Sequence, residues 1–599
     1  MALAGLCAVL YGWALDFPVE FDDHAYVMDN PYVRDPSSFL YFTRFSDFLS
    51  RPLQMGADPD YTINFVLRPV AYASFYLNYW FDGTHPRYYR LVNVGIHACN
   101  GILLYAMLQV LLGRLVRQGK LKTRSAHFIA GVAALCFVTH PLATESVTYI
   151  VQRFTSLVAM FSLLALWLHF LSLQASSRRV MWMTRTASVA AMMFGMLTKE
   201  SAFMIPFMAL LFDSLVIGSP WKVSFRNSLP LLACTPVIPA MVLLIVAVQN
   251  QGSVNWETCA NIVNHKSAPV PHAHYLLTEL TVLIHYLRLL VWPSGLNLDP
   301  DWPIYRSLWQ GPVLAALAKL LAIASLAWWL QRRCRFNVRA TLLFGSVLWF
   351  FMTIAVSSGV PLPDLVAEHR TYLPSIGVFI AFGVLLDWLR TAKVGTAWLR
   401  KLAPVGAGCA IIALSWTTCV RNESWRSSLG LWQDTVAKSP GKSRAWGNLG
   451  TAYARSGNLE KAEECYRHAV KLNPQAQVDM RNLAVILIRR NQSEEALEIT
   501  QKLVGLNHGK VNADLADVMG TAFVELKRYA EAEEVYQAIL AEDPEHASAN
   551  VGLGMMYLNA GIPNLALYHL HHALQRLPGD EAVLAAIRKA QRLHPEVIQ

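Results

Sequence analysis

Residues 91–113 read LVNVGIHACNGILLYAMLQVLLG, a run without Lys, Arg, Asp or Glu. Roughly 20 apolar residues in a helix are enough to cross the hydrocarbon core of a bilayer. The run therefore predicts a membrane-spanning helix. Its polar side chains Asn93, His97 and Asn100 stand at i, i+4 and i+7, on one helix face. In lipid such a stripe predicts hydrogen bonds to neighbouring helices. Just beyond it lie Arg114, Arg117, Lys120, Lys122 and Arg124, a basic loop.

The alternation of apolar run and basic loop continues outward to about Val420. The expected spans are 1–16, 91–113, 127–146, 154–174, 180–198, 201–217, 229–249, 311–330, 340–357, 371–389 and 402–420. Run 1–16 lacks the basic start and small-residue cleavage site of a signal peptide, so it reads as a first span. Basic loops recur at Arg178, Arg179 and Arg185, at Lys222 and Arg226, at Arg332, Arg333, Arg335 and Arg339, and from Arg390 to Lys401. The positive-inside rule puts them in the cytoplasm. The net charge of +10 is then a topology signal and not a nucleic-acid footprint.

Residues 273–293 are also apolar enough to span, yet they carry Glu279, His285 and Arg288. Counting them would reverse every later loop. They are expected to form an interfacial or re-entrant helix on the external side. Eleven spans then leave the C-terminal part of the chain outside the cytoplasm. The nine cysteines show no paired spacing, so neither a disulfide framework nor a CxxC metal motif is expected.

The same topology gathers distant polar residues on the external side. They are Asp22 and Asp23, His140 and Glu145, Lys199 and Glu200, Asp299 and Asp301, and Glu368, His369 and Arg370. Charges at the edge of lipid face the bundle interior or a wet cavity, because burying them against lipid is costly. One such residue alone reads equally well as an interfacial anchor. A shared face favours a site.

From Ser443 the hydropathy pattern repeats about every 34 residues, the tetratricopeptide (TPR) period. The first unit carries Trp446, Leu449, Gly450, Tyr453, Ala462, Tyr466, Ala469 and Pro474. Small residues let two antiparallel helices approach, large ones fill their seam, and the proline stops the second helix. The expected organisation is a membrane domain at 1–420, with external loops at 17–90 and 250–310. A linker at 421–442, four repeats at 443–578 and a capping helix and tail at 579–599 follow. The fold class is all-α: a polytopic helical bundle followed by a short α-solenoid. Such solenoids bind peptides or proteins on a concave face. Asn448 and Asn482 share one repeat position and are weak candidates for holding an acceptor backbone.

Five motifs occur in order: FDDHAYVMDNPYV (21–33), LRPVAYASFYLNYWFDGTHPRYYRLVNVGIHA (67–98), HPLATESVTYIVQRFTSL (140–157), LTKESAFMIPFMALLFD (197–213) and VAEHRTYLPSIG (366–377). Followed by the repeats, they resemble the transmembrane and tetratricopeptide repeat-containing protein family. Its eukaryotic members are endoplasmic-reticulum protein O-mannosyltransferases, and bacteria hold similar proteins. The resemblance covers essentially the whole chain. It implies a GT-C glycosyltransferase fold that takes sugar from a polyprenyl phosphate, of dolichyl or undecaprenyl type, on the extracytoplasmic face. It also implies an acidic pair after the first span, where Asp22 and Asp23 stand. Segment 44–65 is this protein's own, and the repeat array is short. The brief first helix leans the reading towards a bacterial inner membrane with repeats in the periplasm, the alternative being the endoplasmic reticulum with repeats in the lumen.

That chemistry needs a base for the acceptor hydroxyl and cations for the departing lipid phosphate. Asp22 or Asp23 is the expected base. The other carboxylate is then free to orient substrate or a divalent cation. Arg153, His369 and Arg370 are the leading phosphate ligands, with Lys199 next, since guanidinium suits bidentate phosphate contact. His140, Glu145, Glu200 and Glu368 are expected in support. Two further readings carry weight: a transferase acting on an envelope glycan or lipid, and a membrane-anchored repeat scaffold without catalysis. A scaffold, however, needs one anchor and no gathered acids.

Overall fold

The expected spans are largely helical, with 127–146 interrupted after Thr139 and 229–249 broken by a turn between Leu232 and Val237. The computed structural model describes residues 1–40, 59–249, 270–391, 397–507, 509 and 511–593, and among them there are helices and no strands. Seven stretches are long and apolar enough to cross a membrane: Pro86–Arg117, Ile150–Ser172, Glu200–Ile217, Trp221–Ala247, Gly311–Arg333, Val338–Gly359 and Arg400–Glu423. The other four expected spans are helical but shorter or more polar. Ala2–Tyr11 is a short helix extended by a turn to Ala14. Thr123–Thr139 stops at His140 because Pro141 follows, and a residue before proline is driven out of the helical region. Ser375–Thr391 begins just after Pro374. Arg178–Met196 opens on two arginines and carries a third at Arg185.

The apolar helices sort into inner and outer ones. In Ile150–Ser172 67% of the most apolar window is buried within the protein, against 17% in Gly311–Arg333 and Arg400–Glu423. Small residues set the closest approaches. A Cβ on Gly377 would overlap the Ser346 carbonyl, and one on Gly383 would lie 2.9 Å from the Ile129 carbonyl. Helix Ser375–Thr391 therefore packs directly against Val338–Gly359 and Thr123–Thr139, and this docks the 366–372 loop onto the turn after Thr139.

The stripe on Pro86–Arg117 does what lipid-buried amides must. Asn93 Nδ2 donates to the carbonyls of Val147 at 3.2 Å and Ile150 at 3.3 Å. Asn100 Nδ2 donates to the Ser156 carbonyl at 2.8 Å. His97 Nδ1 meets the Tyr372 hydroxyl at 2.7 Å. The expected interfacial segment forms helix His272–Val291, which does not qualify as a span. Its Tyr286 hydroxyl donates to the Ala367 carbonyl at 3.1 Å and accepts from the Ala367 amide at 2.9 Å.

The chain divides into two compact units, Met1–Ser427 and Ser428–Gln599. The boundary falls inside 421–442, where the sequence suggests a linker; that stretch is mostly helical, with Ala397–Glu423 running into it and Ser428–Lys438 following. The second unit holds four helix pairs: Ser443–Arg455 with Leu459–Leu472, Gln477–Arg489 with Ser493–Leu506, Ala513–Glu525 with Tyr529–Glu542, and Ala547–Asn559 with Pro563–Arg576. Helix Glu581–Leu593 closes the stack by burying Val583, Ala586, Ile587 and Ala590. Part of segment 44–65 and part of the 250–310 loop lie outside the described residues.

Candidate functional site

The residues of interest are organised by one short segment, Glu145 to Thr155. It crosses from a turn, Ala143–Val147, through the 3-10 turn Ile150–Gln152 into helix Arg153–Ser172. The side chains of Glu145, Thr148, Tyr149, Arg153 and Thr155 and the amides of Ile150 and Val151 all bond residues outside it.

The acid pair docks at its middle. Phe21 takes a positive φ of 49°, a backbone region that bulky residues rarely enter. That turn sends the two following carboxyl groups to different environments. Asp23 is fully buried, and its carboxylate accepts the amides of Val151 at 2.7 Å and Ile150 at 3.3 Å. Burial pushes its carboxyl up to about 7, against the pull of Arg90 and these amides. Asp22 is only half-buried, and its own amide donates to the Tyr149 hydroxyl at 2.9 Å. Tyr149 in turn lies against Trp425, with ring centroids 5.4 Å apart. The sequence leaves the two acids equivalent. The structure makes Asp23 a strut and leaves Asp22 the accessible one.

Arg90 secures this arrangement. It is buried, donating to the carbonyls of Thr148 at 2.9 Å, Pro18 at 2.6 Å and Leu15 at 3.3 Å, and to that of Phe17. It staples the approach to the acid pair onto the organising segment.

Arg153 departs from its expected role as a phosphate ligand. It is fully buried, and its guanidinium donates to Asn93 Oδ1 at 2.7 Å, Asn78 Oδ1 at 2.7 Å, the Ser74 carbonyl at 3.0 Å and the Tyr89 carbonyl at 2.8 Å. It also stands 4.6 Å over the Phe75 ring. With its donors committed to protein acceptors, it ties three helical segments together. Its position next to an apolar run could not reveal this, because Ser74, Asn78 and Asn93 lie far back in the sequence.

The neighbouring residues point to cations instead. Arg68 stands 5.3 Å over the Phe154 ring and pairs with Glu200 at 3.2 Å. Lys199 Nζ donates to Thr155 Oγ1 at 2.9 Å. Arg68, Lys199 and Arg370 all act electrostatically on His369, so three cations share one neighbourhood. Arg370 itself donates to the carbonyls of Asp364 at 2.6 Å and Leu365 at 3.2 Å, which fixes it on its own loop. Arg68 has a sequence signal, a cation just before Pro69 in an aromatic-rich stretch. Its pairing with Glu200 has none.

At the start of the segment Glu145 holds His369 twice. Oε1 takes the ring Nδ1 at 2.7 Å and Oε2 the His369 amide at 3.1 Å. Burial, Lys199 and Arg370 drive His369 well below its ordinary range, which keeps the imidazole neutral. Burial raises Glu145 to about 7, with Arg421 opposing. Glu145 and His369 share one proton across this contact; when Glu145 is ionised the proton sits on the bonded nitrogen, Nδ1. Nε2 is then an acceptor, which does not suit the phosphate contact expected of His369.

Glu368 is buried, accepts the Asn297 amide and faces Arg421 at 3.7 Å. It anchors the 296–302 loop. His140 is buried against Phe379, with ring centroids 5.2 Å apart. Its Nε2 lies 3.3 Å from the Leu290 carbonyl and its Nδ1 accepts the Leu142 amide at 3.3 Å. Both residues shape the loops and neither offers a free polar atom to a ligand. Among the described residues no three His, Cys, Asp or Glu side chains converge as metal ligands. Each Asp23 oxygen accepts one backbone amide.

In the repeats Asn448 Nδ2 donates to the Arg444 carbonyl of its own helix at 3.0 Å, and Asn482 is half-buried. At the same repeat position Gly552 lies against Tyr536 of the preceding unit. The position faces a seam between units, which weakens its candidacy for an acceptor backbone.

Fold and site together define a polytopic helical membrane protein with a C-terminal TPR array. Tetratricopeptide repeat models match residues 443–475 and 518–581. Over most of its length the chain is a relative of proteins named protein O-mannosyl-transferases. It is 22% identical to mouse TMTC3 over 600 residues, covering 94% of this chain and 62% of that protein. It is 25% identical to F38B6.6 of Caenorhabditis elegans over 488 residues, 79% of this chain and 62% of that protein. It is 26% identical to human TMTC4 over 440 residues, 67% of this chain and 57% of that protein. The chain thus spans about 62% of the length of the first of these relatives. The solved TPR protein YrrB aligns with 30% of this chain and 90% of its own at 21% identity and a TM-score of 0.24.

Proposed function

We propose that the chain is a membrane glycosyltransferase of the GT-C type. It moves a hexose, mannose by the names of its relatives, from a polyprenyl-phosphate carrier to a Ser or Thr hydroxyl of a protein. The reaction takes place on the extracytoplasmic face, and the repeats recruit the acceptor. The observation that carries this reading is the segment from Tyr149 to Thr155. It bonds the half-exposed Asp22 at one end and Lys199 at the other, with Arg68 over Phe154 between them.

The chemistry is a single displacement with inversion. The Asp22 carboxylate accepts the proton of the attacking hydroxyl as its oxygen bonds to C1 of the sugar. The bond from C1 to the phosphate oxygen breaks with its electron pair. The lipid phosphate leaves onto Lys199, Arg68 and Arg370, whose charges are in place before the reaction and need no reorganisation. Asp23, Arg90 and Arg153 bind no substrate in this scheme; they hold the segment.

The test is transfer by purified full-length protein in nanodiscs. Labelled polyprenyl-phosphate mannose is supplied with a secreted protein acceptor, and the product is mapped by mass spectrometry. Hexose on Ser or Thr supports the reading. Label appearing only in glycan or lipid redirects it to an envelope acceptor, and consumption of no donor by any acceptor class rejects it.

A further inference from the structure

His369 is poorly matched to a phosphate and well matched to a hydroxyl. Its Nδ1 is committed to Glu145 Oε1 at 2.7 Å, and the same carboxylate takes the His369 amide at 3.1 Å. Ring and backbone are therefore gripped by one buried group, so the ring cannot rotate to exchange its nitrogens without losing that contact. The side chain keeps 16% of its surface open, and Nε2 has no hydrogen-bond partner among the described residues. With the shared proton on Nδ1, opposite the Glu145 carboxylate, Nε2 presents a lone pair. An anion facing that lone pair is repelled, whereas a hydroxyl donates to it.

The position says which hydroxyl. His369 and Arg370 are consecutive in the turn Glu368–Thr371, and Lys199 and Arg68 act on the same ring. A lipid phosphate held by these cations has its sugar attached through one oxygen, so the sugar's own hydroxyls are the nearest donors to Nε2. Asp22 bonds Tyr149, whereas His369 bonds Glu145, so the two groups hold different residues of the segment. We propose that His369, oriented by Glu145, is a specificity-determining residue that accepts a hydrogen bond from a hydroxyl of the donor sugar. This rests on the glycosyltransferase reading above and assigns His369 to the sugar, leaving the phosphate to the cations.

Full-length protein in nanodiscs is titrated with two lipids, polyprenyl phosphate and polyprenyl-phosphate mannose. His369→Phe removes the acceptor and keeps a ring. It is expected to weaken the mannosyl lipid about tenfold, the worth of one hydrogen bond to a buried polar group, and to leave the bare phosphate unchanged. His369→Gln, which restores an acceptor atom, should recover part of the loss. His369→Leu gives the same split should the phenylalanine variant misfold. Equal weakening of both lipids, or of neither, overturns the assignment. Wild-type protein that binds neither lipid overturns the glycosyltransferase reading itself, and this inference with it.

Discussion

The Tyr149 hydroxyl accepts the backbone amide of Asp22 at 2.9 Å. One residue later the Asp23 carboxylate turns onto the amides of Ile150 and Val151. Two adjacent acids thereby acquire different work, and their isosteric amides separate the roles. Asp22→Asn is expected to lower turnover by about 10²–10⁴-fold, the usual worth of a positioned general base. Asp23→Asn keeps an oxygen for the Val151 amide and loses the acceptor of the longer Ile150 contact, so it should cost some stability and retain most of the activity. Initial rates of mannose transfer for the two variants decide this. Equal loss in both would dissolve the distinction.

The buried Asp23 also sets a pH dependence of stability. Its carboxyl is raised from 3.8 to about 7 on folding, so the folded state binds the proton more tightly than the unfolded chain. The contribution is fully present below about pH 4, declines as pH rises through 7, and is flat above that. Wild-type protein should lose melting temperature between pH 5 and pH 8, and Asp23→Asn should lose less. Glu145, raised to about 7, acts in the same direction, so part of the slope remains in the variant. Identical slopes would refute the buried protonated state.

Arg153 serves several neutral acceptors at once, which lysine cannot do with one compact ammonium. Arg153→Lys should leave some of Asn93, Asn78 and the Ser74 and Tyr89 carbonyls unpaired. Each unpaired buried polar group costs about 1–3 kcal/mol. A fall in thermal stability in detergent, with the affinity for polyprenyl phosphate preserved in the folded fraction, is the expected pattern. The opposite pattern would restore Arg153 to the phosphate.

For the cations the expectation reverses. Arg68→Gln and Lys199→Gln should each weaken polyprenyl phosphate by roughly tenfold or more, as loss of a charge-assisted hydrogen bond does. Melting temperature should fall less than for Arg153→Lys, because Arg68 gives up Glu200 and Asn64, and Lys199 gives up Thr155, whereas Arg153 holds four acceptors. Binding isotherms over a salt series provide the check. A wild-type affinity insensitive to salt would remove the electrostatic basis.

In the repeats Tyr536 is buried between Gly520 of its own unit and Gly552 of the next, and a Cβ on either would overlap its ring. Gly552→Ala should destabilise the array by about 1–3 kcal/mol through overpacking. Faster limited proteolysis within 513–576 of the full-length protein is the readout. Unchanged cleavage would show that the seam can yield.

The helical class, the eleven apolar runs and the repeats were legible from the chain because each depends on near neighbours. Hydropathy over about 20 residues and a period of about 34 are local quantities, and the Asn93–His97–Asn100 stripe needs only helical spacing. The acidic, basic and histidine residues of the site were also recognisable as a group. Their division of labour was not. Asp22 and Asp23 are chemically identical in sequence, and what separates them is the turn at Phe21 and the amides of Ile150 and Val151. Arg153 looked free until Ser74, Asn78, Tyr89 and Asn93 closed on it. The pairings of Arg68 and Arg90 have no sequence signal, because their partners lie far away along the chain. A buried polar group is defined by which partner satisfies it. Those partners come from other helices, so only the packed bundle decides which charges are spent on the frame and which face a substrate.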